Sequence, residues 1–136
     1  MSTHNNVWLN GSFDVLHTGH IKLFRIASML AGSKGTVWVG IDDDERISSF
    51  KGPSRPINTL QDRMMFLLSI KYIDVIVPFA SNAELESHIH AIKPQYMVIG
   101  DDYRGRDIIG SQFIEEIVYI TRDDKSTSDI VGRIYG

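Results

Sequence analysis

Cysteine is missing altogether from the 136 residues. Disulfides, thiolate nucleophiles and sulfur-ligated zinc are therefore excluded. An excess of positive charge is also missing. Fourteen Lys and Arg stand against 17 Asp and Glu, a formal charge of −3. A general basic surface for nucleic acid is not available, although a pocket for one phosphate group needs only a few local cations. No apolar run approaches the length that spans a bilayer. The first six residues are polar and lack a signal-peptide core. A soluble, cytoplasmic protein with no nucleic-acid and no membrane partner is expected. Repeats, low-complexity tracts and linkers are absent too. Hydrophobic residues make up 43% and charged residues 23%, which suits one globular domain over residues 1–136 with a single core.

What is present is a regular alternation of apolar runs and amphipathic segments. The runs at 7–10, 36–41, 74–79, 96–99 and 116–120 read as strands. The segments at about 18–31, 60–71, 82–92 and 126–135 read as helices, with a short one after Asp42. Thr36 to Ile41 is apolar throughout, as a strand covered on both faces should be. Pro78 closes the third run, where proline is tolerated. The stretch Ile108 to Ile114 is ambiguous between loop and one helical turn. This alternation predicts a three-layer α/β/α, Rossmann-like domain with a five-stranded parallel sheet. Ligands in such sheets bind beyond the carboxyl ends of the strands. The chemically interesting residues gather there, at 11–20, 42–51, 100–106 and 122–128.

The first of these clusters is Gly11-Ser12-Phe13-Asp14-Val15-Leu16-His17-Thr18-Gly19-His20. It sits where a strand ends and a helix begins. A first helical turn has unpaired N–H groups and partial positive charge, so the junction suits an anion. His17 and His20, three residues apart, project from one face. Gly19 between them lets a ligand approach the backbone. The string G-x-F-D-x-x-H-x-G-H resembles the signature of the H-x-G-H nucleotidyltransferases, the cytidylyltransferase-like family. The resemblance runs from about Val7 to Ile134.

That resemblance implies a set of roles. His17 and His20 are implied as catalytic donors to the triphosphate of CTP or ATP. Gly11, Ser12, Phe13, Asp14 and Gly19 are implied in nucleotide binding. Lys22 reads as a phosphate contact or as a solvated helix lysine. Asp14 reads as a loop-orienting carboxylate or as a partner of Mg2+ bridging the phosphates. Lys51-Gly52-x-x-Arg55-Pro56-x-Asn58 resembles a segment of the heptose adenylyl branch. Lys51 on its glycine hinge is the candidate to close over phosphates. Arg55 and Arg63 are candidates to bind the acceptor's phosphate. Arg63 also reads as paired with a carboxylate such as Asp62 or Glu45.

Gly100-Asp101-Asp102-Tyr103 resembles turns that lie beside the nucleoside in both the glycerol-3-phosphate cytidylyl and heptose adenylyl branches. It also reads as a plain acidic turn. Arg122 with Ser126, Thr127 and Ser128 resembles the family's R-T-E-G-I-S-T-[ST] motif, where hydroxyls and amides at a helix start hold the β- and γ-phosphates. The approach is one residue shorter here. His4, His88 and His90 belong to no motif and read as surface residues.

The chemistry implied is transfer of a nucleoside monophosphate to a phosphorylated acceptor, with release of pyrophosphate. Attacking and leaving groups are both anionic. The protein must therefore bring anions together and stabilise added negative charge. The leading expectation is CTP with glycerol-3-phosphate. The alternative is ATP with a sugar phosphate of the heptose-1-phosphate type. A non-catalytic nucleotide-binding module is the reading from a different class. The family commonly forms homodimers, so a homodimer is expected.

Overall fold

A computed structural model describes residues 4–121. Strand β1 (Asn6–Gly11) leads into helix α1 (Thr18–Ala31). Strand β2 (Thr36–Asp42) is followed by α2 (Asp44–Lys51) and α3 (Leu60–Leu68). Strand β3 (Val75–Phe79), helix α4 (Asn82–Ile92), strand β4 (Tyr96–Gly100) and strand β5 (Glu116–Ile120) complete the described chain. The five strands form one sheet in the order β3-β2-β1-β4-β5, and every pairing is parallel.

The sequence pattern explains the layers. Side chains alternate across a strand, so Val7 and Leu9 of β1 face one way and Trp8 the other. Val7, Leu9, Val37, Val39 and Ile41 pack with Phe24, Ala27 and Ala31 of α1 and Leu67 of α3. Trp8, Phe79 and Met97 pack with Leu85 and Ile89 of α4. Both sheet faces are covered, which is why the central strands are apolar at nearly every position. Burying a side chain such as Phe24 stabilises the fold by about 1.5–3 kcal/mol.

The helix starts are marked chemically. Asp43, Thr59 and Ser81 each cap a helix by accepting a backbone N–H three residues on, at Arg46, Asp62 and Glu84. Helix α3 stops at Leu68, earlier than the expected 71, because Ser69 and Ile70 turn the chain back with bonds to the Phe66 and Leu67 carbonyls. Strand β3 begins one residue later than expected, at Val75. Asp74 instead clamps β2 from just outside the ladder. Its carboxylate accepts the Val37 N–H at 2.8 Å, and its own N–H donates to the Val37 carbonyl at 3.1 Å. The ambiguous stretch contains a single 3-10 turn at Ser111–Phe113. The helix expected at 126–135 lies outside the described residues.

The chain builds outward from β1 through β2 to β3, then crosses to β4 on the other side of β1. The switch in direction falls between β1 and β4, and the crevice beyond their carboxyl ends is the place for a ligand.

Gly40 tests the packing. It is buried on β2, and a Cβ there would strike the ring of Trp8. That ring is fully buried and pinned by a 2.9 Å bond from its Nε1 to Asn10 Oδ1, so it has little room to yield. Gly40→Ala is expected to lower unfolding stability by about 1–3 kcal/mol, read from urea denaturation. An unchanged midpoint would show that the tryptophan is free to move.

Candidate active site

The start of α1 is built by the two histidines themselves. His17 is the N-cap, and its Nδ1 accepts the Gly19 N–H at 3.0 Å. The His20 Nδ1 reaches back to accept the His17 N–H at 3.1 Å. This is a capping box in which imidazoles replace the usual Ser and Glu. Because each Nδ1 acts as an acceptor, each neutral ring carries its proton on Nε2. In each ring the Nε2–H lies on the edge turned away from the backbone that Nδ1 caps. The rings are half-exposed, with centroids 4.1 Å apart and planes inclined by 43°.

Helix α1 also differs from α2, α3 and α4 in having no carboxylate in its first turn. Its positive end is left uncompensated from within the helix. Lys22, half-buried one turn on, adds to that field.

Phe13 and Gly19 hold the pair in place. Phe13 sits in the left-handed region with φ 47. Strain of that kind costs about 1–3 kcal/mol, comparable with what burying the ring returns. The ring meets Phe24 at 5.4 Å and stands edge-on to His20 at 5.7 Å. Phe13 is only 6% exposed, and its ring supports His20. At Gly19 a Cβ would lie 2.7 Å from His17 Cε1. The missing side chain makes room for the imidazole, where the sequence suggested room for a ligand. Gly100 behaves alike: a Cβ would lie 2.6 Å from Asp102 Oδ1.

Asp14 and Arg63 are turned inward. The Asp14 carboxylate accepts the N–H groups of Ile57 and Asn58, each at 2.8 Å, and its carbonyl accepts from Asn58 Nδ2 at 2.6 Å. Of its two sequence readings, the structure shows the loop-orienting one. Burial by itself raises the Asp14 pKa. The backbone N–H groups of Ile57 and Asn58, with the guanidiniums of Arg63 and Arg55, outweigh it and hold the carboxyl below its ordinary value.

Arg63 is fully buried. It donates to the carbonyls of Asn58, Ser12 and Asp42 at 3.0, 2.9 and 2.7 Å, and to Asp44 Oδ1 at 2.6 Å. The expected acceptor contact is corrected: this guanidinium joins three loops to one another. The expected ion-pair partner was Asp62 or Glu45. The observed one is Asp44. Arg55 stays exposed, with its Nη1 3.7 Å from Asp14 Oδ2.

Beside this scaffold the described residues enclose a cavity of about 350 Å³. Asn10, Gly11 and Ser12 form one wall. Arg46, Ile47, Phe50 and Lys51 of α2 form the next, and Phe79, Leu85 and the 107–109 segment close it. Neither histidine lines it. The site thus has two compartments, the half-exposed start of α1 and this cavity, which Ile99 and Tyr103 at the end of β4 also line; both border the exit of β1. Lys51 Nζ lies 3.3 Å from Ser12 Oγ on that shared boundary, and Gly52 after it takes φ 99.

The 101–104 turn is folded on itself. Asp101 pairs with Arg104 at 2.9 Å, and Arg104 lies 4.2 Å over the Tyr119 ring. Asp102 is exposed beyond it. Arg122, Ser126, Thr127 and Ser128 lie outside the described residues.

Sequence reasoning missed Arg46. Its Nε donates to Asp42 Oδ1 and its Nη2 to Asn82 Oδ1, both at 2.7 Å. The acid-to-base spacing of four residues was a legible signal. The Asn82 partner, 36 residues away, was not.

The site is thus a parallel Rossmann-like sheet whose first helix is capped by two imidazoles. The profile of the Cytidylyltransferase-like family matches residues 8–132, and the chain belongs to that family. Among curated relatives it is 37% identical over 131 residues to the bifunctional protein HldE of Sulfurimonas denitrificans, covering 96% of this chain and 27% of that one. It is 38% identical over 129 residues to the bifunctional protein HldE of Helicobacter hepaticus, covering 94% of this chain and 26% of that one. The chain therefore spans about a quarter of the length of these relatives. A lipopolysaccharide core biosynthesis protein from Thermoplasma volcanium shares the fold, with TM-score 0.68, 22% identity, and coverage of 88% of this chain and 98% of the other.

The Asp14 clamp has a pH signature. Its folded pKa lies below the unfolded value of about 3.9, so its stabilisation is complete above that value and is lost as pH falls through the folded pKa. Wild type is expected to exceed Asp14→Asn in urea stability at neutral pH. The gap should close only as pH drops below about 4. A gap that stays constant to pH 2.5 would remove the ionised carboxylate from the account.

Proposed function

We propose that this domain transfers the adenylyl group of ATP to a sugar phosphate of the heptose-1-phosphate type, releasing pyrophosphate. The imidazole-capped start of α1 carries the nucleotidyl-transfer part of the reading. Similarity to the HldE proteins, whose adenylyltransferase domain acts on heptose phosphate, favours this choice over CTP with glycerol-3-phosphate.

In this reading the triphosphate lies over α1 and the acceptor occupies the cavity. An oxygen of the acceptor phosphate attacks the α-phosphorus. A new phosphorus–oxygen bond forms, the bond from the α-phosphorus to the bridging oxygen breaks, and that oxygen leaves with pyrophosphate. The nucleophile is already ionised, so no general base is required. The Nε2–H groups of His17 and His20, with the positive end of α1, stabilise the charge that builds on the phosphoryl oxygens. Lys51 lies between the compartments and draws the two anions together. Arg122 and the Ser126–Ser128 hydroxyls belong to this proposal through the family motif.

Mg2+ is expected to accompany the triphosphate. Among the described residues no three His, Cys, Asp or Glu side chains gather as a metal cage, and the Asp14 carboxylate is held by backbone N–H groups. The described residues thus do not form a dedicated magnesium site, and no step above runs through the metal.

Two measurements test the proposal. Purified protein with magnesium is given ATP or CTP together with heptose 1-phosphate, a hexose 1-phosphate or glycerol 3-phosphate. ATP with the sugar 1-phosphates should release pyrophosphate fastest. Preference for CTP with glycerol 3-phosphate would overturn the substrate choice, and no release with any pair would favour a binding module. Separately, His17→Ala and His20→Ala should each lower kcat by about 100- to 1,000-fold with a much smaller change in nucleotide affinity. Equal losses in both would assign the imidazoles to ground-state binding.

A further inference from the structure

The cavity has two chemically different ends. Ser12 and Lys51 stand at the end shared with the histidine compartment. Phe79 and Arg46 stand at the other, beyond β3 and the start of α4. Ser12 follows β1 and Phe79 ends β3, with β2 between them, so these two wall residues stand about two strand spacings apart, roughly 10 Å, and Arg46 is held toward the Phe79 side by Asp42 at the end of β2 and Asn82 at the start of α4. With its phosphate at Lys51, a six- or seven-carbon sugar carries more hydroxyls toward Arg46 than a three-carbon alcohol does.

Arg46 is prepared for that encounter. Asp42 and Asn82 fix its fork through Nε and Nη2. The faces of Phe50 and Phe79 lie 4.9 and 5.2 Å from its central carbon, which sets the guanidinium plane. Its side chain is only 12% exposed. Among the described residues its Nη1 donors have no protein partner. The Asp42 carboxylate offsets its charge, and Asp107 adds another negative group to the lining. That balance suits a neutral hydroxyl-bearing group and disfavours a second anion. The flanking rings provide apolar faces for a sugar's C–H groups.

We propose that Arg46 selects the acceptor by hydrogen-bonding hydroxyl oxygens at the end of a sugar phosphate remote from its phosphate. The inference rests on the reading of the cavity as the acceptor compartment. It makes Arg46 a specificity-determining residue, with Asp42 and Asn82 as the residues that position it.

Acceptor binding, measured by calorimetry, separates this inference from the catalytic reading. Glycerol 3-phosphate, a hexose 1-phosphate and heptose 1-phosphate are titrated into the protein, with and without a non-hydrolysable ATP analogue. Wild type should bind the sugar phosphates more tightly than glycerol 3-phosphate. Arg46→Ala should weaken sugar-phosphate binding by about 10- to 100-fold, leave glycerol 3-phosphate and the ATP analogue unchanged, and so flatten the series. Asn82→Ala, which keeps the guanidinium and removes one prop, should give a smaller loss of the same selectivity and serves if Arg46→Ala does not fold. An unaltered series in both variants, or equal weakening of all three acceptors, would overturn the role of Arg46. So would a wild type that shows no preference among acceptors. Sugar-phosphate selectivity without pyrophosphate release would refute the catalytic reading while leaving the assignment of Arg46 intact.

Discussion

The candidate site depends on one buried cation. Arg63 bonds to the carbonyl of Ser12 in the β1 exit, to that of Asp42 at the end of β2, to that of Asn58 in the loop before α3, and to the carboxylate of Asp44. A guanidinium has five donors in a rigid fork, and burial makes any unmatched donor or acceptor costly. The three loops therefore share one relative position that satisfies the fork. Asp14 reinforces it from the other side by gripping Ile57 and Asn58. The segments that carry the histidines, the start of α2 and the hinge after Lys51 are thus fixed to one another before any ligand arrives.

The histidine pair shows the same economy on a smaller scale. Each imidazole uses one nitrogen to cap the helix and turns the other outward. The bond that completes α1 therefore also selects the tautomer needed to donate to an anion. Gly19 contributes by leaving space for the His17 ring, and Phe13 by accepting a strained backbone to support His20. Stability and chemistry draw on the same atoms here, so changes at these positions must be read for both.

In the proposed reaction the two compartments divide the work that nucleotidyl transfer requires. An anion is favoured over α1, where the helix end and the imidazoles face it. The cavity toward α2 and α4 mixes aromatic faces with planar charged groups, as a polyhydroxylated molecule needs. Ser12 and Lys51 lie on the boundary between them.

The alternation of apolar strands and amphipathic helices determined the three-layer sheet from sequence alone, because burial on both faces leaves a periodic trace in the chain. The H-x-G-H spacing likewise placed two imidazoles on one helical turn, since residues three apart are neighbours there. Tertiary structure decided which cations face inward and which line the cavity. Arg63, Arg55 and Arg46 look alike in the sequence. Their fates depend on carbonyls, carboxylates and amides as many as 51 residues away. The fold alone brings the distant partners within bonding distance; the one local trace among these three is the Asp42 four residues before Arg46.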